Sequence, residues 1–287
     1  MRSSTAALQV LARPWMLGLL LVVAIQAHGQ DKTREACEQQ FKAERGQMGK
    51  DVVWIPTSDE LVMHMLQMAR VTAADRVYDL GAGDGKIAIA AAKHFGARAV
   101  GIEYDAELAK LGACFAEVEG VADRVRIVQG DIFETDFSNA TVVTLYLLPE
   151  LNLRLRPTLL KMPPGTRVVS HSFLMDDWQP DERLPGEAGH AYLWIVPAQV
   201  AGSWVFRQRR GKDKFQVNLQ QSFQHIEGTV GKASAALTQA RLNGTQITLA
   251  FSDDDEPVTV AGDVNGGRIA ARVTRGGKTS DYIGTRR

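Results

Sequence analysis

Cysteine, net charge and long apolar runs are all scarce in this chain, and each scarcity removes a class of protein. Its 287 residues hold two cysteines, Cys37 and Cys114, far below the density that staples small secreted domains. They could pair in an oxidising compartment, but one lies in a charged stretch and one in an apolar helical pattern, so an exposed and a buried free thiol are expected. Neither has the His or second-Cys spacing of a zinc site, and no metal is expected. Lys plus Arg and Asp plus Glu both total 33, so no overall field gathers nucleic acid or an anionic membrane. One uncharged apolar run stands out, Met16 to Ala27, preceded by Arg2 and Arg13 and followed by small residues around Ala27 and Gly29. About twelve residues rise only ~18 Å as a helix, short of the ~30 Å hydrocarbon core. Residues 1–29 therefore read as a bacterial-type signal peptide or a membrane anchor, which would place the rest in an exported, periplasmic or anchored location. Residues 30–52 read as a linker.

Hydrophobic residues make up 45% of the chain, enough for a substantial core. From Val53 onward strand-like runs alternate with helical periods. Thr57-Ser58-Asp59-Glu60 offers a capping box ahead of a helix whose Leu61, Met65, Met68 and Ala69 share one face. Strands are expected at 76–80, 97–103, 124–129, 140–148 and 167–171, and helices over 87–95 and 106–119. Such alternation predicts an α/β domain over 53–197, a Rossmann-like doubly wound sheet with ligands at the carboxyl ends of its strands. Past Pro197 the helical period vanishes. Short alternating segments, at 203–208, 214–223, 226–230, 235–242, 246–251, 257–260, 268–273 and 281–284, are split by turns such as Asn243-Gly244 and Gly276-Gly277. Residues 198–287 are expected to form a small all-β antiparallel domain, a barrel or a sandwich.

The segment Val77-Tyr78-Asp79-Leu80-Gly81-Ala82-Gly83-Asp84-Gly85 runs a strand into three alternate glycines and then a helix. Backbone in such a turn can approach a ligand with no side chain in the way. The dinucleotide form of the turn has its third glycine at the sixth position, which here is Lys86. Asp79 would also face the two anions of a pyrophosphate. Both points disfavour a nicotinamide oxidoreductase and favour a cationic ligand without phosphate, such as S-adenosylmethionine with its sulfonium and ammonium groups. Glu103 ends the second strand, where a carboxylate can accept both ribose hydroxyls. Asp131, in Gln129-Gly130-Asp131-Ile132, ends the third, where it can accept from the adenine amino group. Each acid alone has a plainer explanation as a helix cap or loop carboxylate. Three at successive strand ends point to one ligand.

On these residues the chain resembles the class I S-adenosylmethionine-dependent methyltransferases. Asp79 through Gly85 matches that family's first motif, Glu103 its ribose-binding acid and Gly130-Asp131 its adenine-side motif. A narrower resemblance rests on Val53-Trp54-Ile55-Pro56-Thr57, on the continuation of the loop through Lys86-Ile87, on Tyr146-Leu147-Leu148-Pro149, and on Val168-Val169-Ser170 followed by Trp178-Gln179-Pro180. These look like the branch of mitochondrial protein-lysine methyltransferases that modify ATP synthase and adenine nucleotide translocase subunits. The resemblance spans about half the chain, and the signal-like start and β-rich tail depart from it. It implies S-adenosylmethionine as cofactor and a nitrogen acceptor, within the branch a protein lysine. It implies cofactor contacts at Asp79, Gly81, Gly83, Gly85, Glu103 and Asp131, with Pro56 and Thr57 over the pocket.

Methyl transfer is an in-line displacement, so positioning and desolvation can supply most of the catalysis. An ammonium acceptor must first lose a proton. Tyr146 and Glu150 are the catalytic candidates by position, against plainer readings as a buried aromatic and a first-turn helix acid. His171 has no acid beside it to orient the ring and reads as structural; Trp178 reads as core. The Arg209-Arg210, Lys212, Lys214 cluster reads as a solvated hairpin, and no nucleic acid is expected. A competing reading is an exported binding protein on the same fold that no longer catalyses.

Overall fold

The computed structural model describes residues 32–186, 189–231 and 233–287. The leader expected over 1–29 lies outside them. Among the described residues, no helix is long and apolar enough to cross a membrane.

Five parallel strands carry the first sheet: β1 (Arg76–Leu80), β2 (Arg98–Glu103), β3 (Val125–Gln129), β4 (Val142–Leu145) and β5 (Arg167–His171). Their spatial order is β3-β2-β1-β4-β5, and two antiparallel strands extend the β5 edge, β7 (Ala191–Ile195) and then β6 (Glu182–Leu184). The sheet is thus mixed at one edge, where no strand is expected from the sequence pattern. Helices α3 (Lys86–Phe95), α4 (Ala106–Val118) and α5 (Pro149–Leu159) make the crossovers, and α2 (Asp59–Met68) precedes β1. Every residue of β4 is buried, as a strand covered on both faces requires. One face packs Val77, Ala99, Val142 and Val169 under α2, α3 and α4. The other packs Val143, Leu145, Val168, Trp178 and Trp194 with Leu155 of α5. Strand order reverses direction between β1 and β4, which opens a crevice at their carboxyl ends.

Two expectations fail at the start of the described chain. The stretch read as a linker contains a helix, α1 (Arg34–Gln40), capped by the Thr33 hydroxyl and packed on α4. Cys37 is fully buried and forms a disulfide with Cys114 of α4, so neither cysteine is a free thiol. Ion pairs Lys32–Glu117 and Arg34–Glu119 flank the bond, and the Arg34 guanidinium sits 3.8 Å over the Phe115 ring. Seven residues are too few to show a helical period, and a lone pair of cysteines has no spacing to read. After α1 the chain turns back on itself: Gly46 N–H donates to Trp54 O at 2.9 Å, Trp54 N–H to Gln47 O at 3.0 Å, and Gly49 N–H to Val52 O at 2.8 Å. This hairpin and the residues leading to α2 form a strap over 46–57.

The expected capping box is one residue out of register. Ser58 caps α2, its Oγ accepting from Leu61 N at 3.3 Å, and the Thr57 hydroxyl turns to His171 instead.

From Gly202 onward a second, all-antiparallel sheet of nine strands curls on itself. It comprises β8 (Gly202–Gln208), β9 (Lys214–Ser222), β10 (His225–Val230), β11 (Ala235–Ala236), β12 (Gln239–Asn243), β13 (Gln246–Asp253), β14 (Glu256–Asn265), β15 (Arg268–Arg275) and β16 (Lys278–Arg286). The segment expected as one strand over 235–242 is split into β11 and β12. Alternate residues point inward, so Trp204, Phe206, Val217, Leu249, Val258, Val260 and Ile269 are all fully buried. Two of its hairpins turn on residue pairs with positive φ, Asp254-Asp255 and Gly276-Gly277, the backbone that type I′ turns demand. Strand β16 is not at an edge: it pairs with β8 on one side and β15 on the other. Gln224 joins the two sheets, accepting from Trp178 Nε1 at 3.1 Å and donating to Gln179 O at 2.6 Å. Trp178 is fully buried here.

Candidate functional site

A cavity of about 460 Å³ opens at the carboxyl ends of β1 to β5. Its floor is the loop after β1, where Gly81 and Ala82 N–H both donate to Ile102 O, at 2.9 and 3.0 Å. Gly81, Gly83 and Gly85 all have positive φ, at 80°, 55° and 77°, which L side chains adopt only under strain. Close approach adds to this requirement at Gly83, where a Cβ would run into the Trp54 indole, and at Gly85, where it would come 3.0 Å from Ile127 Cδ1. Gly81, Ala82 and Asp84 face the cavity, while Gly83 and Gly85 shape the turn from behind.

Three carboxyls are buried together at this end: Asp79, Asp84 and Glu103. Burial pushes Asp79 up to about 7, and the nearby Glu103 and Asp84 add to the rise; a 2.7 Å hydrogen bond from Thr144 Oγ1 opposes it. Burial also raises Asp84 and Glu103, although Glu103 accepts from Gly83 N at 2.8 Å and Asp105 N at 2.9 Å. Lys86, beside Asp84, is itself paired with Asp59 at 2.9 Å. A carboxyl held up by desolvation and like charge gains most from a cationic ligand. Asp131 differs: Lys50 bonds it at 2.6 Å and Phe133 N–H at 2.8 Å, and its carboxyl is held below the usual range by these bonds.

The strap roofs the cavity. Residues 48–57 all face it, Pro56 and Thr57 among them. Lys50 latches the hairpin to Asp131 and sits 5.0 Å over the Tyr104 ring. Trp54 belongs to the Val53–Thr57 motif of the narrower resemblance, while Lys50 and Tyr104 carry no signal of this role in the sequence, because a roof is recognisable only once the floor is in place.

At the other end, beyond β4 and β5, the wall is Pro56, Thr57, Tyr146, Leu148, Leu151 and Phe173. Tyr146 stacks on His171, ring centroids 3.7 Å apart. His171 is buried and its Nδ1 lies 3.0 Å from Thr57 Oγ1; desolvation pushes its pKa down to about 4. Glu150 is exposed in the first turn of α5 and does not line the cavity. Glu150 follows the Pro149 that opens α5, so the structure places it in the helix's first turn and outside the cavity wall that holds Tyr146. Among the described residues, no cluster of three or more His, Cys, Asp or Glu is placed to hold a metal ion.

Residues 79–182 match the family model described as the ANTKMT methyltransferase domain. The chain is 44% identical over 151 residues to a protein-lysine N-methyltransferase of Saccharolobus islandicus, covering 50% of this chain and 94% of that protein. This is a methyltransferase of the S-adenosylmethionine-dependent family. The methyltransferase is also 30% identical over 155 residues to the adenine nucleotide translocase lysine N-methyltransferase of Mus musculus, a match over 54% of this chain and 66% of that protein. Among solved structures, it is similar to an RNA methyltransferase from Salinibacter ruber in complex with S-adenosylhomocysteine, with 50% identity, 51% of this chain and 96% of that chain covered, and a TM-score of 0.50. Buried acids with no ion pair among the described residues, glycines that clear the floor and a cavity of cofactor size all fit S-adenosylmethionine, whose sulfonium supplies an electrophilic methyl group when bound.

Proposed function

We propose that this methyltransferase modifies the side-chain nitrogen of a lysine in a protein. One observation carries the choice of a macromolecular acceptor. Met48, Val53, Ile55, Tyr104 and Leu148 are the large hydrophobic side chains left exposed among the described residues, and all five line this cavity. Apolar side chains gathered at one mouth mark a docking surface for a polypeptide, whereas a nucleic acid would call for unpaired cations there. The names of the Saccharolobus and mouse relatives support the same acceptor, while the name of the Salinibacter structure favours RNA.

The cofactor contacts in this reading are Asp79, Glu103 and Asp131, with Gly81, Gly83 and Gly85 clearing space and Pro56 and Thr57 over the ligand. Tyr146 walls the acceptor end. The disulfide supports a location where thiols oxidise, in agreement with residues 1–29 acting as an export leader or anchor; mass spectrometry of the mature N-terminus checks that placement. Acceptor class is tested by incubating the protein with S-adenosylmethionine labelled in the methyl group and a fractionated extract. Label in methyl-lysine after proteolysis is the expected result, and label found in RNA alone would sink the lysine reading.

A further inference from the structure

Among the described residues, the acceptor end of the cavity is lined without the carboxylates that crowd the other end. Asp79, Asp84, Glu103 and Asp131 lie at or after β1, β2 and β3, and Asp51 lies in the turn of the strap's hairpin. Past β4 and β5, the side-chain oxygens among the described wall residues belong to Thr57 and Tyr146. This suits an amine. A carboxylate beside the acceptor would hold it as an unreactive ammonium ion, whereas a neutral oxygen can take an N–H bond from the free amine and aim its lone pair.

We propose that Thr57 is the catalytic residue whose hydroxyl oxygen receives the acceptor nitrogen, and that His171 is the positioning residue that holds it there. The proposal rests on the lysine reading above and names the groups that serve it. Thr57 is buried at the cavity wall, on the residue that joins the strap to α2, and its Oγ1 is 3.0 Å from His171 Nδ1. His171 has little freedom: Tyr146 stacks on one face at 3.7 Å, and a Cβ on Gly189 would come within 2.8 Å of Nε2. A neutral imidazole can accept the Thr57 hydroxyl proton at Nδ1, which leaves the oxygen's lone pairs for the cavity. In the transfer, the amine lone pair forms the new N–C bond while the C–S bonding pair leaves with sulfur. The methylated nitrogen then sheds its extra proton to water. No proton moves in the bond-forming step itself, so the task of Thr57 is orientation. His171, read from the sequence as structural for want of an acid partner, has a hydroxyl partner in its place.

The test needs no acceptor. Calorimetry compares S-adenosylhomocysteine with the cofactor analogue in which C–NH3+ replaces the S–CH3 sulfonium, so that an amine projects toward the acceptor end. Thr57→Val and His171→Phe are expected to weaken the analogue about fivefold relative to S-adenosylhomocysteine. Thr57→Ser and His171→Asn, which keep a polar atom in place, should hold the ratio within about twofold. An unchanged circular dichroism spectrum and thermal transition certify that each variant is folded, and Thr57→Val decides alone if His171→Phe does not fold. An unchanged ratio in Thr57→Val overturns the proposal, and it does so while label on protein lysine would leave the lysine reading intact. Failure of the wild type to bind S-adenosylhomocysteine would overturn both together.

Discussion

The two sheets use their buried polar groups in opposite ways. Of the eleven polar or charged residues buried in the described chain, ten precede residue 198, and Gln224 alone follows it, in the β9–β10 turn, where it ties down Trp178. In the first sheet, Asp79, Asp84, Glu103, Thr144, Asn152, Ser170 and His171 gather around the carboxyl ends of its strands. Nine antiparallel strands can close an apolar core by side-chain alternation alone, and the tail does that. An enzyme cannot do so around its ligand: carboxyls that burial pushes upward are costly until the ligand arrives. Where the chain accepts that cost is where the chemistry is.

The contrast can be broken by experiment. Phe206→Ala in the second sheet should cost about 3–5 kcal/mol in denaturant unfolding and leave S-adenosylhomocysteine affinity unchanged in the folded fraction; a parallel loss of affinity would show that the sheets do not work separately. Cys114→Ser, or reduction by a dithiol, opens a link between residues 77 apart and should lower stability by about 2–4 kcal/mol, read from unfolding curves with and without reductant. Asp79→Asn keeps the Thr144 contact and removes the charge, and should weaken cofactor binding about tenfold to a hundredfold. The same residue sets a pH dependence. Its folded pKa of about 7 stands above the ordinary 3.8, so the ligand-free protein should lose stability as pH rises from about 4 through about 7. Cofactor binding, which needs the carboxylate, should weaken toward tenfold per unit below about 7. Asp79→Asn should flatten both trends, and a trend that survives it would refute the assignment. The smallest effect is expected at the latch: Lys50→Ala should raise the cofactor dissociation rate about twofold, less at high salt, in stopped-flow displacement.

Much of the first sheet was legible because its signals are local. The strand 76–80 and the strand 167–171 are found at the expected bounds, and the glycine turn with Asp79, Glu103 and Asp131 marks the cavity floor in one dimension. What escaped depends on contacts between distant segments. Cys37 and Cys114 meet only because α1 docks on α4, and the strap over 46–57 has no period of its own. Strands β6 and β7 add to the sheet edge after a stretch rich in turns. The Thr57 and His171 pairing joins residues 114 apart, and without it His171 looks like any lone core histidine.

The place of β16 has a consequence for synthesis. Phe206 of β8 pairs with Gly284, more than seventy residues later, so this sheet stays open until β16 has been made, by which time every strand of the first sheet already exists. An interrupted chain would therefore carry a finished cofactor crevice beside two unpaired strand edges, the kind of surface that draws chains into aggregates. Removing residues 278–287 should accordingly show in sedimentation before it shows in ligand binding, which makes β16 a guardian of solubility.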